Sequence, residues 1–92
     1  VHYGGIPCEI SKVISIAKTF KIPVIEDCAQ ALGARYKDTL CGQYGDIAIF
    51  SFYANKILTT GEGGIIMSNP KFIKKLKSFI FNKKELCYDF SK

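Results

Sequence analysis

Apolar and polar positions alternate along the chain in two rhythms, and each rhythm marks a kind of element. Ile10, Val13, Ile14, Ala17 and Phe20 recur at steps of three and four, the spacing of one helix face. Lys12, Ser15 and Lys18 fall on the other side. An amphipathic helix is expected here, stopped by Pro23. Phe72, Ile73, Leu76, Phe79 and Ile80 repeat the pattern, and that stripe is expected to pack into a core. Asn69 before Pro70 suits an N-cap followed by a first helical position. Short apolar runs at residues 23–27, 46–50 and 64–68 read as strands. Residues 34–36 and 39–41 flank Lys37 and Asp38 as a small hairpin set off by Gly33 and Gly42. Gly4-Gly5-Ile6-Pro7 is a turn. Val1 and the residues after it read as the end of a strand. No element is expected beyond Asn82, and no internal repeat or low-complexity tract is present.

A strand end, a helix and a second strand form a β-α-β unit, so the class is α/β. In open sheets of that class, ligands collect at the carboxyl ends of strands. Asp27 closes the run at 23–27. It is placed either to meet a ligand there or to cap a short helix through Cys28, Ala29, Gln30 and Ala31. The residues leave these two readings even.

Composition narrows the picture. Ninety-two residues with 48% hydrophobic side chains, seven Phe and five Tyr make at most one small globular domain. Such a domain buries a small share of its surface and is marginally stable alone. The chain opens on Val1-His2-Tyr3-Gly4 without an initiator Met or a targeting segment. It is expected to be an internal portion of something longer. No apolar run approaches the ~20 residues that span a bilayer, and no secretory signal peptide is visible.

The net charge of +5 raises nucleic acid as a partner. The charge sits late, on Lys71, Lys74, Lys75, Lys77, Lys83 and Lys84, as the wet face of one helix would carry it. Arg35 is alone and no nucleic-acid motif occurs, so no nucleic-acid partner is expected. Cys8, Cys28, Cys41 and Cys87 contain no C-x-x-C pair, and His2 has no ligand neighbour in sequence. No metal site is expected. Cys28 reads as a small buried hydrophobe, and the cysteine usage fits a reducing cytoplasm.

The chemistry centres on Lys56. It lies in a polar, glycine-bearing loop between the runs at 46–50 and 64–68, so two strands deliver one amine to the top of a sheet. Two blocks around it carry a resemblance. Pro23-Val24-Ile25-Glu26-Asp27-Cys28-Ala29-Gln30-Ala31-Leu32-Gly33-Ala34 resembles the aspartate-bearing strand of the DegT/DnrJ/EryC1/StrS family of sugar aminotransferases. Gly45-Asp46-Ile47-Ala48-Ile49-Phe50-Ser51-Phe52-Tyr53-Ala54-Asn55-Lys56 resembles its cofactor-lysine segment. Thr59-Thr60-Gly61-Glu62-Gly63-Gly64 continues the match and is most similar to the perosamine synthase branch. The similarity runs from about Val1 to Asn82, with Cys28 where the family more often has Ala.

The resemblance implies part of the large domain of an aspartate aminotransferase-like protein (PLP fold type I), a mixed sheet with flanking helices. It implies pyridoxal 5′-phosphate and a homodimer. Lys56 is then the catalytic residue and bonds covalently to the cofactor. Asp27 pairs with the pyridine nitrogen, Ser51 contacts the phosphate, and Gln30 lies against the ring near its 3-oxygen. Asn55 and Glu62 belong to the motifs without an assigned role. The implied reaction moves an amino group from an amino acid, glutamate by analogy, to a nucleotide-linked keto-sugar in a ping-pong sequence. Relatives with His at the lysine position dehydrate instead; Lys56 favours transamination. The chemistry is consistent with these roles. An amine attacking an aldehyde must be partly neutral, and a carboxylate keeps a ring nitrogen protonated. The alternatives are a same-family enzyme for another keto-sugar or a cyclitol, and a non-catalytic fragment that keeps only the fold and motifs.

Overall fold

The computed structural model describes residues 1–81. The expectations placed on Asn82, Lys83, Lys84, Cys87 and the residues beyond lie outside the described residues. Helix α1 (Ile10–Phe20) forms where the periodicity predicts it. It closes through Lys21, whose left-handed φ of 54° lets the Ile22 N–H reach the Ala17 carbonyl at 2.9 Å. Its stripe is only partly covered: Ile10 is buried, Ile14 and Ala17 are half-buried, and Phe20 is 68% exposed.

Strands β1 (Ile25–Asp27), β2 (Arg35–Tyr36), β3 (Thr39–Leu40), β4 (Ile47–Ser51) and β5 (Gly64–Ser68) follow in order. β2 and β3 form the expected hairpin. The others make a mixed sheet in the order β1-β4-β5. β1 runs parallel to β4, and β5 runs antiparallel to β4. β1 is shorter than the run at 23–27 because Asp46 takes over the backbone of Val24. The Val24 N–H donates to Asp46 Oδ2 at 3.0 Å, and the Val24 carbonyl accepts from the Asp46 N–H at 2.8 Å. Pro23 has no N–H to offer.

The chain does not begin in a strand. Residues Tyr3–Gly5 form a 3-10 turn instead. Gly4 and Gly5 both have positive φ, 62° and 80°, and turn the chain away from the sheet. One backbone bond to the sheet survives, from the His2 N–H to the Asp27 carbonyl at 3.0 Å.

Cys28, Ala31 and Cys41 form a buried cluster, with Ala34 and Phe50 packed against it. Cys28 behaves as the small hydrophobe its context predicts. Helix α2 (Pro70–Phe81) starts directly after Asn69, whose carbonyl accepts from the Phe72 N–H at 3.0 Å. Phe72, Ile73, Leu76 and Ile80 are half-buried, but Phe79 is 71% exposed, so the stripe packs only in part. Among the described residues no helix is long and apolar enough to cross a membrane.

Candidate functional site

Ser51 ends β4, and the chain then leaves the sheet in a loop pinned at Phe52. The Phe52 N–H donates to the Gly63 carbonyl at 2.8 Å, and its carbonyl accepts from the Thr60 N–H at 3.0 Å. The Thr59 hydroxyl donates to the same carbonyl at 3.0 Å. At the tip, the Lys56 N–H closes a turn on the Tyr53 carbonyl at 3.0 Å. The glycines explain how so narrow a neck closes. Gly63 has φ 143°, and a Cβ there would stand 2.7 Å from Thr60 Oγ1. A Cβ on Gly64 would stand 2.7 Å from the Phe50 carbonyl oxygen. Side chains at either position would force the neck apart.

The loop folds over a cleft of ≈ 230 Å³ whose walls include Gly4, Gln30, Ser51, Asn55, Lys56 and Ile57. Two stretches far apart in sequence thus bring Gln30 to the same place as Ser51 and Lys56. Lys56 is half-buried, and among the described residues its ammonium forms no ion pair. Ser51 Oγ accepts from the Tyr53 N–H at 3.3 Å. Gln30 is exposed, and its Oε1 accepts from the Gly4 N–H at 2.7 Å.

Asp27 does not line this cleft. It is the last residue of β1, opposite Ile49 and two residues short of the level of Ser51. Its Oδ1 accepts from the Ala29 N–H at 3.0 Å, and the Ala31 N–H reaches the Cys28 carbonyl at 2.9 Å. Asp27 thus stands at a strand end, and it caps a turn rather than a helix. Among the described residues its second oxygen has no hydrogen-bond partner.

The neighbouring Glu26 plays a part that sequence reasoning missed. Glu26 and His2 are each 1% exposed. Glu26 Oε1 accepts from the N–H groups of Tyr44 and Gly45, and Oε2 accepts from the Gly42 N–H at 2.8 Å. His2 Nδ1 accepts from the Cys8 N–H at 3.2 Å, which leaves Nε2 to donate to Glu26 Oε2 at 3.0 Å. Burial alone would push the Glu26 carboxyl up. The donors on Gly42, Gly45, His2 and Tyr44 outweigh burial and hold it below the usual carboxylate range. Gly42 and Gly45 bracketing the loop were the available signal, since a strand glutamate otherwise reads as solvent-facing.

His2, Glu26 and Cys28 bring ligand atoms within 4.8 Å of one another. The set does not suit a cation. Both histidine nitrogens and both carboxylate oxygens are spent on the bonds just described. The Cys28 thiol is pushed up to about 12, by burial first and then by the Glu26 charge, whereas metals take the thiolate.

A larger cavity of ≈ 520 Å³, lined by Ile14, Val24, Asp46, Asn69, Lys71 and Phe72 among others, lies at the opposite end of the strands. Its carboxylate is already engaged. Asp46 Oδ1 accepts from Asn69 Nδ2 at 3.0 Å and pairs with Lys71 at 3.3 Å. The Val24 N–H, ahead of these partners, holds the Asp46 carboxyl below its ordinary range. The smaller cleft is where Gln30, Ser51, Asn55 and Lys56 gather.

Known proteins share this arrangement of chain. At 48% identity over 71 residues, the chain is similar to a GDP-perosamine synthase of Escherichia coli O157:H7, matching 77% of this chain and 20% of that protein. A GDP-perosamine synthase of Caulobacter vibrioides is 46% identical over 69 residues, 75% of this chain and 19% of that protein. The chain thus spans about a fifth of the length of these relatives. Among solved structures, Helicobacter pylori PseC, an aminotransferase involved in the biosynthesis of pseudoaminic acid, superposes with a TM-score of 0.81 at 29% identity. That match covers 99% of this chain and 24% of PseC. The sequence profile of the DegT/DnrJ/EryC1/StrS aminotransferases matches residues 1–83, and the chain belongs to that family.

Proposed function

We propose that this chain is the cofactor-holding part of a pyridoxal 5′-phosphate-dependent sugar aminotransferase. The observation that carries the reading is the meeting of Gln30, Ser51 and Lys56 in one cleft. The donor set fits the group. An amine, a hydroxyl and a carboxamide share the cleft, and Asp27 keeps one carboxylate oxygen without a partner among the described residues. When bound, pyridoxal 5′-phosphate supplies an aldehyde and an electron-withdrawing ring that stabilises negative charge on the substrate carbon beside it.

The protein's own residues do the rest. Lys56 Nζ would be the covalent anchor and, when free, would take and return the substrate proton as general base and acid. With the cofactor bound, Asp27 would hold a proton on the ring nitrogen through its free oxygen, Ser51 would donate its hydroxyl to the phosphate, and Gln30 would hold the ring.

The substrates are a nucleotide-linked keto-sugar and an amino-acid donor, glutamate. Two relatives named as GDP-perosamine synthases, 48% and 46% identical, support a perosamine synthase-like activity. The working protein is a cytoplasmic homodimer.

The test is borohydride reduction of the complete gene product with pyridoxal phosphate, followed by peptide mass spectrometry. A pyridoxyl adduct on Lys56, lost in Lys56→Ala, is expected. An adduct on another lysine, or none, overturns the reading. An adduct without amino transfer to any nucleotide keto-sugar leaves a binding fragment and removes the enzyme.

A further inference from the structure

The segment His2–Gly5 lies across the end of β1 and touches both residues proposed to meet the cofactor ring. The His2 N–H donates to the Asp27 carbonyl at 3.0 Å. The His2 ring, buried against Glu26 at 3.0 Å, anchors that end of the segment. Two residues on, the Gly4 N–H donates to Gln30 Oε1 at 2.7 Å. Gly5 then packs so closely that a Cβ there would stand 3.0 Å from the Gln30 backbone oxygen. Only the left-handed φ values of Gly4 and Gly5, 62° and 80°, let consecutive residues press on Gln30 in this way.

The consequence is a choice of amide orientation. An N–H can be met only by the oxygen of a carboxamide, so the bond to Gly4 fixes which way round the Gln30 amide sits. Its oxygen faces Gly4 and its NH₂ is left for the cleft, which Gly4 and Gln30 both line. We propose that the Gly4–Gly5 turn, anchored by His2, is a positioning element that orients the Gln30 amide so that the cleft presents N–H donors rather than a carbonyl. This rests on the cofactor reading given above. What faces Gln30 must then be an acceptor, and on a pyridoxal ring the phenolic oxygen is that acceptor. A donor there stabilises the phenolate and lowers the pH at which the lysine-bound cofactor loses its proton.

The experiment titrates the visible absorption band of the cofactor-loaded gene product, with amide exchange at Gly4 followed alongside. Gln30→Glu keeps an oxygen for the Gly4 N–H but has no donor for the cleft. It is expected to keep Gly4 exchange slow while raising the midpoint of the band by about one pH unit. Gln30→Leu removes both functions and is expected to speed Gly4 exchange roughly fivefold as well as raise the midpoint. At position 4, Gly4→Asn tolerates a left-handed φ and keeps the N–H, whereas Gly4→Val does not fit that φ. Gly4→Asn is expected to keep the wild-type midpoint and Gly4→Val to raise it, with thermal melting checking that both fold. An unchanged midpoint in Gln30→Glu, or equal shifts in the two Gly4 variants, overturns the proposal while leaving cofactor binding intact. A wild-type protein with no cofactor band at all removes the function reading and this inference together.

Discussion

His2 donates to Glu26 across 3.0 Å, and both side chains are 1% exposed. The pair does more than satisfy itself. Through Glu26 it gathers the N–H groups of Gly42, Tyr44 and Gly45, and through His2 that of Cys8. Four stretches of chain converge on one buried carboxylate and the ring beside it. Glu26→Ala would strand all three loop donors and the histidine, at a cost of about 3–5 kcal/mol. Glu26→Gln keeps the shape and part of the acceptor capacity, and should cost about 1–3 kcal/mol. Urea denaturation of the gene product measures both, and a loss below about 1 kcal/mol for Glu26→Ala would show that the knot is not structural.

Acid should unlock the same region. Glu26 and Asp46 both have folded-state carboxyls below their ordinary values. The unfolded chain therefore binds more protons than the folded one as pH falls through the ordinary carboxylate range. Their contribution is fully present above that range and lost as pH drops toward the lowered folded values. Melting temperature is expected to be level from pH 7 to about 5 and to fall below it. Glu26→Gln and Asp46→Asn should each flatten the acid slope; an undiminished slope in both would assign it to other groups.

Thiol chemistry separates the cysteines. Burial, followed by the charge on Glu26, pushes the Cys28 thiol up to about 12. Alkylation by iodoacetamide at pH 8 is expected to reach the half-buried Cys8 well before Cys28, read by peptide mass spectrometry. Equal rates in the native protein would contradict the buried placement of Cys28.

The neck of the lysine loop has little room. Gly64→Ala puts a Cβ 2.7 Å from the Phe50 carbonyl oxygen, so β4 and β5 must part at their first pair. A loss of about 1–3 kcal/mol is expected, with slower formation of any Lys56 adduct. Wild-type stability and adduct rate together would mean that the strands yield without cost.

Asp27→Asn tests the proposed ring partner. The amide can still cap the Ala29 turn through its oxygen, so folding and the Lys56 adduct should survive. Turnover should fall at least about 100-fold. Near-normal turnover would remove Asp27 from the chemistry.

The periodic elements were legible because their signals are local. The spacing of Ile10 to Phe20 produced α1 at its observed bounds, and residues 64–68 emerged unchanged as β5. The failures share one cause: partners distant in sequence. Val24 left β1 because Asp46, 22 residues away, claimed its N–H. Glu26 reads as surface in any alternating strand, and nothing nearby announces His2, 24 residues earlier. At the cleft, motif resemblance named Gln30, Ser51 and Lys56, but the bond from Gly4 that orients Gln30 depends on how the turn docks. The uncovered sides of α1 and α2, with Phe20 and Phe79 in solvent, follow the same logic: a stripe declares that something packs on it without declaring what.

The loop that carries Lys56 is moored at Phe52, whose N–H and carbonyl are tied to Gly63 and Thr60 on the loop's returning side. Between that mooring and the amine the backbone is a short leash. Lys56 lies four residues beyond the knot, so the reach of its side chain is set by the few backbone torsions between them.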